Sequence, residues 1–225
     1  MVSTSEKVTQ LRQLLSERFG APKSEDKTTY LTGLSALDEI GLPQAAITEI
    51  VAPPSAGPGG ALLLYGLLHR VLDKGSRVAL VDAHDSFDPK GLKQDSLDRL
   101  LWSRCHNASE ALKAADLIVR DGNLPLVILH MALNPVSQLR RVPSTSWHRL
   151  QMLAEKSAVT LLIVTPFAQV GCAQLRLGVS GAFPLHMLNL NWNELVPSMS
   201  LTVERRRTGR ERRCLDEDLR RAVCA

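Results

Sequence analysis

From residue 31 onward the chain alternates short apolar runs with stretches of helical periodicity, and this alternation narrows its fold class more than any other feature. Ile47–Val51 is a β-prone run ending in the loop Ala52-Pro53-Pro54-Ser55-Ala56-Gly57-Pro58-Gly59-Gly60. A helix over Ala61–Lys74 follows, closed by Gly75 where a left-handed residue ends helices. Arg77–Asp82 reads as a buried strand and Leu100–Trp102 as a shorter one. Asn107 stands three residues before Glu110, the spacing of a capping box, and Ala108, Ala111, Leu112, Ala115 and Ile118 form one buried stripe. Leu124–Leu129 is nearly all apolar, as a strand covered on both faces must be. A helix over Ser146–Lys156 leads to a strand over Val159–Val164. Strands and helices at this spacing imply right-handed crossovers and a doubly wound, mostly parallel sheet. Pro184–Leu190 and Ser198–Val203 read as two consecutive strands, an antiparallel addition to that sheet.

The flanks differ from this α/β region. Val8, Leu11, Leu14 and Leu15 recur at helical spacing before Gly20, and a polar linker over 21–27 follows. The expected organisation is a helix and linker over 1–30, an α/β domain over 31–210 and a tail over 211–225. In the tail Leu215, Leu219 and Val223 share one side of a short helix, a stripe that either covers the core or meets a partner. The 225 residues suffice for one substantial core. No apolar run reaches the ~18 residues a membrane span needs, and the N-terminus is too polar for a secretory signal, so the cytoplasm is the expected location. Cys105, Cys172, Cys214 and Cys224 lie too far apart for a zinc ribbon or a disulfide framework, and the first two read as buried thiols. At 4% aromatic content a base-stacking sheet is not expected.

In a doubly wound sheet ligands bind beyond the carboxyl ends of the strands, which directs attention to the residues after Val51, Val81, Leu129 and Val164. Thr32-Gly33-Leu34-Ser35-Ala36-Leu37-Asp38, Gly41-Leu42-Pro43 and Ile47-Thr48-Glu49-Ile50 resemble the approach to the nucleotide loop in the RecA recombinase family. Val81-Asp82-Ala83-His84-Asp85-Ser86-Phe87-Asp88-Pro89 resembles that family's second strand and turn. The resemblance implies a RecA-like α/β fold, and it exposes a departure. A working phosphate loop has the form GxxxxGK[ST], whose amides cradle phosphates, whose lysine neutralises them and whose hydroxyl holds Mg²⁺. Here Ala52 stands at the first glycine, Gly57 at the second, Pro58 at the lysine and Gly59 at the hydroxyl. His84 stands where the family has its catalytic glutamate, His130 where a Walker-B aspartate ends the strand, and Thr165-Pro166 at the polar sensor pair. The expectation is a protein without ATPase chemistry, with no catalytic residue, cofactor or metal.

Other readings of the same residues stand beside this one. Ser55, Gly57, Pro58, Gly59 and Gly60 also suit a plain surface turn, and amides at a glycine-rich helix start attract anions weakly without a lysine. His84, Asp85 and His130 would share a crevice as metal ligands, but no further ligand has recognisable spacing. Net charge is only +4, yet Arg205, Arg206, Arg207, Arg210, Arg212 and Arg213 cluster after a strand and form a candidate DNA- or partner-binding patch, or simply a solvated face. Leu100-Leu101-Trp102-Ser103-Arg104 with Ala108-Ser109-Glu110-Ala111-Leu112, Gly122-Asn123-Leu124-Pro125-Leu126-Val127-Ile128 and Leu201-Thr202-Val203-Glu204-Arg205-Arg206 are similar to the ImuA-type accessory proteins of bacterial damage tolerance. That resemblance implies a non-catalytic role in translesion synthesis, with a Y-family polymerase-like subunit, RecA or both as partners. Separately, the tethered N-terminal helix docks either on its own domain or on a neighbour, which allows self-association. A SulA-like cell-division inhibitor, a divergent recombination ATPase and a single-stranded DNA-binding module are the alternatives.

Overall fold

A computed structural model describes residues 29–180, 192–195 and 199–207. The strands are β1 (Thr29–Tyr30), β2 (Leu42–Pro43), β3 (Ile47–Val51), β4 (Val78–Asp82), β5 (Leu100–Arg104), β6 (Leu126–His130), β7 (Thr160–Thr165), β8 (Leu175–Ser180) and β9 (Ser200–Arg206). The long helices are α1 (Gly59–Asp73), α2 (Ala108–Asp121) and α3 (Ser144–Lys156). Seven strands form one sheet in the order β5-β4-β6-β7-β3-β8-β9, and β1 pairs antiparallel with β2 beside it. All pairings in the large sheet are parallel except β8–β9.

The apolar pattern explains the layering. β3, β4, β6 and β7 are buried along their whole length, so their near-continuous Ile, Val and Leu runs face helices on both sides. Leu63, Leu67, Leu68 and Leu72 of α1 pack with Ile50, Leu80, Ile128 and Leu162 on one face. Ala111 and Ala115 of α2 and Trp147 and Leu150 of α3 pack with Val81, Leu129 and Ile163 on the other. Alternate strand residues thereby feed two cores, the period-2 rule at work in a two-faced sheet.

Local signals act as expected. Asn107 Oδ1 accepts the Glu110 N–H at 3.0 Å, and Glu110 Oε2 accepts the His106 N–H at 3.0 Å. Gly122 closes α2 at φ +74°. The Thr32–Asp38 motif is a knot around one carboxylate: Asp38 accepts from Thr32 N and Thr32 Oγ1 at 2.7 Å each, and from Gly33 N at 2.8 Å.

The C-terminal third corrects the sequence-based expectation. β9 pairs antiparallel with Leu175–Ser180, a strand the apolar-run criterion passes over because Arg176 and Gly178 interrupt it. Its Leu175, Leu177 and Val179 do alternate, and all three are buried. The expected strand Pro184–Leu190 lies outside the described residues, as do the N-terminal helix and the tail.

Candidate functional site

The loop after β3 opens at the carboxyl edge of the sheet. Its first residue still belongs to the ladder, since the Ala52 N–H donates to Thr165 O at 2.8 Å. Pro54–Ala56 forms a single 3-10 turn, and Gly57 takes φ +59° and ψ −138°, a combination glycine adopts readily and other residues resist. Pro58 then sits at the N-cap of α1, with no side chain capping the helix. Ser55, Gly57 and Pro58 are exposed, while Gly59 and Gly60 are buried. Residues 52–60 include no charged side chain, and Pro58 has no N–H to offer an anion.

Ala52 and Gly60 form one steric unit across this loop. A methyl group on Gly60 would lie 2.6 Å from Ala52 Cβ. Gly60→Ala should therefore destabilise the protein by about 1–3 kcal/mol, the usual cost of overpacking, and Ala52→Gly in the same chain should recover most of it. Urea denaturation of the two single variants and the double variant checks the coupling; purely additive losses would contradict it.

At the ends of β4 and β6 stand Asp82 and His130, neighbours in the parallel register and both buried. Asp82 accepts from the N–H groups of Ser86 and Phe87 at 2.7 Å each and from Ser86 Oγ at 3.2 Å, with His130 Nδ1 at 3.8 Å. Burial alone would raise the pKa of Asp82, but His130 and the Phe87 and His84 amides outweigh it and bring it to about 2. The unfolded chain then binds that proton more tightly. The stabilisation, ~2 kcal/mol, is complete above about pH 4 and is lost as pH falls through about 2. Asp82→Asn should flatten that part of the stability curve, which urea midpoints taken from pH 5 down to 2 would register.

The crevice does not assemble as a three-residue metal set. Asp85 adopts φ +50°, and its carboxylate forms a paired contact with Arg104 on edge strand β5, at 2.6 and 2.7 Å. His84 is exposed. Among the described residues no three His, Cys, Asp or Glu side chains converge. Cys105 and Cys172 are buried free thiols, and burial pushes Cys172 up to about 11.

A residue that sequence reasoning treated only as part of a motif proves central. Glu49, fully buried in β3, accepts from Gln169 N at 2.7 Å, Val170 N at 2.9 Å and Thr165 Oγ1 at 3.1 Å, and pairs with Arg176 Nε at 2.6 Å. Thr165, expected at the sensor position, is thus committed to Glu49. The signal was available: a glutamate and an arginine each interrupting an apolar strand pattern are partners to be sought across neighbouring strands.

The arginine patch divides. Arg205 is a clamp, donating to the carbonyls of Val170, Gly171 and Ala173 at 3.1 to 3.2 Å. Burial first, then repulsion from Arg176 and Arg207, lowers its pKa. Arg205 therefore ties β9 to the connection between β7 and β8 through main-chain carbonyls. Arg206 is exposed and donates to Ile40 O, while Arg207 is half-buried at the strand end. These residues sit level with the start of β8, away from the loop at the carboxyl edge. Arg210, Arg212 and Arg213 lie outside the described residues.

Residues 17–153 match the RecA N-terminal domain. The chain belongs to that family. RecA of Streptomyces avermitilis is 32% identical over 118 residues, covering 50% of this chain and 31% of that protein. RecA of Rhodospirillum rubrum is 34% identical over 130 residues, covering 56% and 35%. RecA of Rickettsia bellii is 26% identical over 204 residues, covering 85% and 59%. The chain thus spans a third to three fifths of the length of these relatives. Its fold is similar to that of the RadB recombinase, with a TM-score of 0.55 at 17% identity, covering 79% of this chain and 90% of that one. In a RecA-type domain the loop after β3 and the ends of β4, β6 and β7 face one mouth, the place where open α/β sheets take ligands. No described helix is long and apolar enough to cross a membrane.

Proposed function

We propose that this chain is a non-catalytic RecA-family accessory protein of the ImuA type, acting in bacterial damage tolerance by binding partners. The observation that carries the reading is the state of the two charged components an ATPase needs at this mouth. The loop has a proline where a lysine would face the phosphates, and Asp82 at the end of β4 is already consumed by Ser86, Phe87 and His130. Among the described residues it is His130, an imidazole, and not a carboxylate that ends β6 beside Asp82. The fold then contributes surfaces rather than chemistry: Arg206 and Arg207 at the end of edge strand β9, and the helical face opposite α1.

Titration calorimetry with Mg-ATP should give no binding tighter than the millimolar range; a micromolar, Mg²⁺-dependent isotherm would overturn the pseudo-ATPase reading. The partner component has its own test. Co-expression with a Y-family polymerase-like subunit should yield a complex that survives size-exclusion chromatography. Association with a tubulin-like cell-division protein instead would reassign the chain to the inhibitor class.

A further inference from the structure

Away from the loop, a groove of about 840 Å³ runs between α2 and α3 on the outer face of the domain. Leu112, Leu117, Val142 and Leu150 provide its apolar surface. Leu117 is 64% exposed and lines the groove together with Leu112 and Val142, so the apolar surface there is contiguous and not a single exposed side chain. Lys113, Arg141 and Arg149 line the same groove, against a single carboxylate, Asp116. That carboxylate is already neutralised: Arg149 Nε and Arg120 Nη2 each reach it at 2.5 Å. Lys113 and Arg141 are exposed. The groove therefore presents a greasy floor beneath a rim of excess positive charge.

The geometry points to this groove as the docking site for an acidic amphipathic helix of a partner protein, its apolar stripe on Leu117 and Val142 and its carboxylates on Lys113 and Arg141. The inference rests on the partner-binding reading above and supplies the surface and the chemistry of the partner. Helices recognise grooves of this kind through apolar anchors at i, i+3, i+4 and i+7, and flanking charges set which helix is accepted. The apolar floor argues against nucleic acid, whose contacts are made to phosphates and base edges. The chain's own N-terminal segment is a poor complement, since residues 1–28 carry five Lys or Arg and four Asp or Glu.

The test uses the full chain and a fluorescent lactam-bridged helix of about 15 residues, a leucine stripe flanked by glutamates, beside the same peptide with lysines. The acidic peptide should bind at least ~10-fold tighter than the lysine peptide. Leu117→Ser, an exposed position whose fold is checked by circular dichroism, should weaken binding ~10-fold or more. Lys113→Glu with Arg141→Glu should reverse the preference toward the lysine peptide. Equal binding of both peptides, or indifference to all three substitutions, overturns the proposal. So does a tighter peptide affinity after charge reversal of Asp216, Glu217 and Asp218, which would put the chain's own tail in the groove. Self-association abolished by Leu117→Ser would make a second copy the occupant and overturn it as well. ATP turnover would sink the accessory reading while leaving peptide selectivity a separate result.

Discussion

Glu49→Ala should lower the stability of the protein by about 3–5 kcal/mol, the usual result of removing one partner of a buried ion pair. Arg176 stays behind with most of its side chain buried and, among the described residues, no other ion pair. Two amides, Gln169 N and Val170 N, lose their acceptor at the same time. Those amides belong to the connection from β7 to β8, which Arg205 also holds, through the carbonyls of Val170, Gly171 and Ala173. The effect should therefore spread: β8 and β9 should lose hydrogen-exchange protection before β4 and β6 do. Glu49→Gln keeps an acceptor and should cost less, and replacing Glu49 and Arg176 together by methionine should recover much of the loss, because no stranded charge remains. Urea denaturation ranks the four proteins. Equal stability of wild type and Glu49→Ala would mean that the pair is solvated and the β7–β8 connection is held by other contacts.

How far these relationships were legible in the sequence depended on the kind of signal. The doubly wound core was legible because runs such as Leu126–His130 and Thr160–Thr165 are apolar without interruption, and caps such as Asn107 and Gly122 act through neighbours in the chain. Leu175–Ser180 was passed over for the opposite reason: its polar residue, Arg176, is accounted for only by Glu49, a partner 127 residues away. The fate of Arg205 was illegible on the same ground. A cluster of arginines reads as one patch, and only the fold reveals that one member turns back onto main-chain carbonyls while the next faces solvent. At the mouth, the residues present and absent could be read from the loop alone, whereas the saturation of Asp82 by Ser86 and Phe87 required the turn after β4 to be seen closed around it. The α2–α3 groove joins residues from two helices and the segment between them, and no single stretch of sequence announces it.

Pro58→Lys, which puts a cation at the start of α1, should leave ATP turnover indistinguishable from buffer. A lysine at the start of α1 would supply a charge and return one backbone N–H, yet the chemistry of phosphoryl transfer also needs a held metal and a group that orients the attacking water. On the accessory reading, His84 and His130 stand where the resemblance places carboxylates, so at least ~10³-fold of the rate should remain missing. Adding His130→Asp does not complete the site. It would place a second carboxylate beside Asp82 in the buried register pair, and like charges that close cannot both ionise. It would also remove the imidazole that helps hold Asp82 at about 2. The double variant should therefore be less stable than Pro58→Lys alone, with its greatest deficit near neutral pH, where both carboxylates would otherwise be charged. A coupled-enzyme assay with and without Mg²⁺, run beside urea midpoints at pH 5 and pH 7, measures both consequences. Mg²⁺-dependent turnover from Pro58→Lys by itself would show that a carboxylate outside the β4 and β6 ends holds the metal, and the mouth would have to be rebuilt around it.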